Sequence, residues 1–172
     1  VGTSPLWLRA CDEVERAYRS GEWIAVEGEP GVGKAAVLRA VQLRRQPVSR
    51  FAALDAAEVD NPGWLDDLRR TVLVDADSVV LRHADTLDGP RLRAVAAILQ
   101  EASRLPNRPW VAVTVDTAAE PGPRGREMTK LLRLFPGTVA IPPLRHHIED
   151  LQRLIPFLLA RLGHGGSLTC SP

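Results

Sequence analysis

Cysteine is nearly absent from this chain: Cys11 and Cys170 are the two it has. Thiols so few and so far apart give no disulfide framework, which predicts a reducing, cytoplasmic setting. Long apolar runs are also missing. No stretch of about 18 apolar residues occurs, so a membrane-spanning helix is excluded, and no basic, apolar and small-residue leader opens the sequence. Charge of one sign is lacking as well: 22 Lys and Arg face 21 Asp and Glu, a net charge of +1. That balance removes any electrostatic mandate for nucleic acid. The four histidines, His83, His146, His147 and His164, do not have metal-ligand spacing, and no metal site is predicted. Lysine is the scarcest charged residue, with Lys34 and Lys130 against 20 Arg. A chain that all but avoids lysine has still placed one at position 34.

What is present is an ordinary core. The 172 residues are 45% apolar, enough for a single domain to bury one core without staples. Helix and strand signals alternate. Ser4 and Pro5 suit a helix start and Gly21 a stop. Trp23–Val26 reads as a buried strand, and Lys34 to about Arg45 as a helix. Further strands are expected at Phe51–Leu54, Val79–Leu81, Val111–Val115 and Thr138–Ile141, with helices over about Gly89–Arg104 and Ile148–Leu162. Such alternation predicts a parallel sheet covered on both faces. The four tryptophans are expected in the core or at its edge. Ala118–Gly125 reads as a surface loop. Residues 163–172, GHGGSLTCSP, lack a terminating element, so the chain is expected to be cut from a longer protein. The domain is then 1–162, and 163–172 begins a truncated linker or lid.

Gly28-Glu29-Pro30-Gly31-Val32-Gly33-Lys34-Ala35 matches the phosphate-binding pattern G-x-x-x-x-G-K and departs at the last position, where Ser or Thr is usual. A strand precedes it and a helix, continuing through Ala36, follows, as the motif requires. The glycines let backbone amides and the helix N-terminus face an anion, and Lys34 adds a point charge. Such a site also needs a carboxylate at the end of a neighbouring strand to hold Mg²⁺. The third strand instead ends in Arg82 and His83. An alternative register makes Thr71–Val74 the strand and Asp75 the ligand.

With these residues in hand, the chain resembles the AAA+ domain of the sigma-54-dependent transcription activators, the bacterial enhancer-binding proteins. GEPGVGKA at Gly28–Ala35 is similar to the family's GE-x-G-x-GKE, which also lacks Ser or Thr after the lysine. Phe51-Ala52-Ala53-Leu54-Asp55-Ala56-Ala57 resembles FVxVNCAA, Ile98-Leu99-Gln100-Glu101 the helix after Walker B, and Val111–Asp116 the sensor I strand. Ile141-Pro142-Pro143-Leu144-Arg145 with Ile148-Glu149-Asp150-Leu151 resembles LPPLRxRxEDI. The resemblance implies a P-loop NTPase fold, a three-layer αβα sandwich on a five-stranded parallel sheet, with the helical lid missing. It puts Arg82 and His83 on the Walker B pair, Asp116 on sensor I and Arg133 on an arginine finger, with Arg126 one residue from the other finger. The GAFTGA segment that grips sigma-54 is absent between Phe51 and Leu81.

The expected function is therefore an AAA+-like nucleotide-binding regulatory module of a bacterial transcription regulator, impaired as an ATPase and not engaging sigma-54. ATP or ADP is the expected ligand, with Mg²⁺ in doubt because its carboxylates are gone. Self-association through the AAA+ interface is expected in the full-length protein, and DNA contact only through a domain outside this chain. Two alternatives stay open: an active ATPase using Asp75 or Asp85 as metal ligand, and a nucleotide-free self-association scaffold.

Overall fold

In the computed structural model, which describes residues 2–116 and 123–161, helices and strands alternate. The order is α1 (Pro5–Ser20), β1 (Ile24–Gly28), α2 (Lys34–Arg45), β2 (Phe51–Asp55), α3 (Trp64–Arg70), β3 (Ser78–Arg82) and α4 (Gly89–Ala102). It continues with β4 (Trp110–Asp116), α5 (Pro123–Leu132), β5 (Gly137–Ala140) and α6 (Leu151–Arg161). All strand pairs are parallel, in the order β2-β3-β4-β1-β5. Parallel neighbours require crossovers, and the crossovers put helices on both faces. Accordingly α1 packs on α2 and α2 on the sheet, while α3, α4 and α5 pack together as the second layer. This is the three-layer sandwich of the P-loop NTPase class.

Local chemistry sets the element ends. The Ser4 hydroxyl accepts the N–H of Trp7 at 3.3 Å and Pro5 opens α1. Gly21 closes the helix at φ 69°, its N–H reaching Ala17 and Tyr18. Asp88 caps α4 by accepting the N–H of Arg91 at 2.9 Å. Along α4, Leu92, Val95 and Leu99 are fully buried, the face expected from their spacing. Two indoles then tie β1 to β4 at their starts: Trp23 Nε1 donates to Pro109 O (2.9 Å) and Trp110 Nε1 to Glu22 O (2.7 Å).

The strand alternative for Thr71–Val74 is corrected here. Residues Thr71–Asp75 continue α3 as a π-helical turn. Trp64, Leu68 and Val72 are all buried, and their four-residue spacing is helical. Asp75 is accordingly an exposed residue paired with Arg70 at 3.4 Å, away from the strand ends. Pro123–Gly125, read from sequence as loop, opens α5. The first part of that expected loop, residues 118–122, and residues 163–172 lie outside the described residues. The closing helix begins at Leu151 rather than Ile148, because Ile148–Asp150 forms a 3₁₀ turn.

That turn carries the longest-range polar contact of the fold. Asp150 is buried and accepts the N–H of Thr3 at 2.6 Å and of Ser4 at 3.0 Å, as well as His147 Nδ1 at 3.0 Å. The Thr3 amide above all, against the opposing effect of burial, with Ser4 and His147 adding to it, brings this carboxyl down to about 2. An unfolded Asp titrates near ~4, so the stabilisation is complete above that pH and is lost as pH falls towards about 2. Asp150→Asn is expected to lower the melting temperature at pH 7 and to flatten its pH dependence across that acid window, as read by scanning fluorimetry. Leu99→Ala, which empties a fully buried site, should cost about 3 kcal/mol in urea denaturation.

Candidate functional site

In a parallel sheet every strand's carboxyl end lies on one edge, and ligands bind there where the strand order reverses. Here that point is β1, flanked by β4 and β5, and the glycine-rich turn leaves from it. Gly31 (φ 80°) and Gly33 (φ 94°) sit in the left-handed region, which side chains with a Cβ rarely adopt. At Gly28 a Cβ would stand 3.0 Å from the carbonyl oxygen of Ile141 and from Val32 Cγ2, so close packing demands glycine there. Helix α2 starts with no side-chain cap, which leaves the amides of Lys34, Ala35 and Ala36 for an outside acceptor.

Lys34 is 8% exposed, and its ammonium donates to the carbonyls of Gly28 (2.6 Å) and Glu29 (2.9 Å). An ammonium has three donors, so one remains for a ligand oxygen. Glu29 is clamped by Arg145 through two contacts of 2.6 and 2.7 Å. The hydrogen bonds from Arg145 hold its carboxyl below the usual range. This exposed fork joins the turn to the segment before α6. Trp7, in the first turn of α1, packs beside Gly33, its Cη2 lying 3.9 Å from where a Cβ there would be. Pro30 and Val32 complete the turn, and Val32 N–H closes on Glu29 O at 3.4 Å.

The end of β3 carries two basic side chains, Arg82 and His83. Arg82 stands in register with Asp55 of β2, and their nearest charged atoms are 3.6 Å apart. His83 follows in the left-handed region (φ 52°). Its N–H donates to Thr114 Oγ1 (3.1 Å) and its Nδ1 lies 2.8 Å from Asp55 Oδ1. Partial burial would raise the Asp55 carboxyl, but hydrogen bonds from His83 and from the N–H of Ala57 outweigh it and hold the group below its ordinary range. Asp55 thus pairs with both Arg82 and His83.

Other predicted residues fall at separate places. Asp116 ends β4 level with Gly28, and its N–H donates to Asp85 Oδ1 at 3.0 Å. Asp85 is therefore engaged as a turn acceptor. Arg133 and Arg126 are exposed on α5 and just past its end, with no ion pair among the described residues. Of the tryptophans, Trp23, Trp64 and Trp110 are buried and Trp7 lies at the turn. Asp55 and Thr114 were not anticipated as site residues. The signal for Asp55 was the register: a carboxylate ending one strand opposite an arginine ending the next.

The residues fit a phosphate chain. Two left-handed glycines, an uncapped helix start and a buried ammonium converge on one spot. A divalent cation is less well served: β3 ends in Arg82 and His83, and a guanidinium, always charged, cannot ligate one. Gly33→Ala should cost about 1 kcal/mol through its backbone angle alone, because the new Cβ would meet Trp7 at an ordinary 3.9 Å. Urea denaturation of the variant tests this.

No family model matches the chain. Among curated proteins it is 34% identical over 168 residues to MimR of Mycolicibacterium smegmatis, the propane 2-monooxygenase operon transcriptional activator, covering 96% of this chain and 27% of MimR. It is 27% identical to the transcriptional regulatory protein XylR of Pseudomonas putida, covering 94% of this chain and 33% of XylR. The chain therefore spans about a quarter to a third of these relatives. NtrX from Brucella abortus, solved in complex with ATP, superposes with a TM-score of 0.69 at 16% identity over 94% of this chain and 42% of NtrX. The P-loop NTPase domain of an E. coli sigma-54 activator gives 0.59 at 17% identity, over 84% of this chain and 99% of that domain. Likeness of sequence along nearly the whole chain and a fold shared with P-loop domains converge: the chain belongs to the AAA+ domains of the enhancer-binding transcription activators.

Proposed function

We propose that this domain is the nucleotide-binding regulatory module of a bacterial transcription regulator, holding ATP or ADP without turning it over and without gripping sigma-54. The observation that carries the reading is the pairing of an intact phosphate cradle around Lys34 with a cationic end to β3, Arg82 and His83. Phosphoryl transfer depends on positioning and on electrostatic stabilisation of the reacting groups. Removing the acids that anchor the metal and orient water costs several kcal/mol of barrier, roughly 10³-fold in rate. MimR and XylR are regulators by name, which supports a regulatory setting. In the longer protein, self-association would use the AAA+ face that carries Arg133, and DNA would be met by a domain outside this chain.

Purified chain is expected to melt several degrees higher with saturating ATP or ADP, since a ligand selective for the native state must stabilise it. Lys34→Ala should abolish the shift, and phosphate release should stay at the level of the buffer. Brisk phosphate release would overturn the hydrolysis part of the reading. A missing shift with both nucleotides would overturn the binding part.

A further inference from the structure

We infer that the site takes the phosphate chain of its nucleotide without a divalent cation, and that the Arg82 guanidinium supplies the positive charge in the cation's stead. This rests on the nucleotide reading above and adds how the phosphate charge is neutralised.

Three observations carry it. First, charge: the end of β3 offers an arginine and a histidine. The nearby carboxylates already have partners, Asp55 in His83 and Arg82, and Asp85 in the Asp116 amide. A cation entering there would meet a guanidinium that is charged at every physiological pH. Second, reach: β4 alone lies between β3 and β1. Strands two apart are separated by about 10 Å, a gap that an extended arginine and a terminal phosphate oxygen close between them. Third, freedom: of the two partners of Asp55, Arg82 is the looser, at 3.6 Å against 2.8 Å for His83. Its side chain is 41% exposed.

Arg82 can therefore leave Asp55 without orphaning it, because His83 and the Ala57 amide stay. What is given up is one long, partly solvated ion pair, a weak interaction. What replaces it is a charge-assisted, bidentate contact to phosphate, which is stronger.

Isothermal titration of the whole chain with ATP, in Mg²⁺ and again in EDTA, tests the inference. The two dissociation constants should agree within about fivefold, a difference of less than ~1 kcal/mol. In EDTA, Arg82→Ala should weaken binding about tenfold or more. Asp55→Asn, which releases Arg82, should tighten it, a gain that misfolding cannot produce. Binding more than about fivefold weaker in EDTA than in Mg²⁺ would overturn the inference and leave the nucleotide reading standing. So would an Arg82→Ala variant that binds in EDTA like the parent. Absence of binding in both buffers would overturn the nucleotide reading, and this inference with it.

Discussion

Parallel pairing is the constraint from which the rest of this structure follows. Parallel strands cannot be joined by tight turns, so each connection must cross a face, and each strand must end on the same edge of the sheet. Crossover helices of 7 to 14 residues then cover the strands on both sides, which is why β3 and β4 are buried almost throughout. The same geometry gathers Gly28, Asp55, Arg82 and Asp116 along one rim, although they are far apart in sequence. A functional site on this fold is thus assembled by topology before any side chain is chosen.

The choice of side chains on that rim separates binding from turnover. The turn after β1 holds anions by main-chain dipoles, which no substitution at Ala35 removes. Turnover in a P-loop enzyme depends instead on carboxylates at the neighbouring strand ends, and here β3 ends in Arg82 and His83 while β4 ends in Asp116. The Asp55 carboxylate, one strand further out, pairs with both His83 and Arg82.

Much of the fold was legible in the residues. All five strands and the helices α1, α2 and α4 follow from apolar runs, caps and glycine stops, with ends displaced by one or two residues because pairing outlasts the apolar run. Thr71–Asp75 shows where such reading fails. TVLVD is rich in β-branched residues and ends in a carboxylate, yet Val72 continues the buried stripe begun by Trp64 and Leu68, and helical packing overrides strand propensity. The glycine turn and the Arg82–His83 replacement were readable because motif and resemblance fix their register. Asp55 as their partner was not, since its role exists only once β2 lies beside β3. Asp150 belongs to a recognisable motif, but its hold on Thr3 and Ser4 spans nearly the entire chain and leaves no periodic trace.

That last contact has a mechanical meaning. Asp150 is the final residue before α6, and it grips the main chain immediately ahead of α1. The first turn of α1 carries Trp7, which rests on Gly33 and lies 5.9 Å from the ring of His147. Asp150 thereby joins the start of α6, through the main chain ahead of α1, to the indole that abuts the glycine turn.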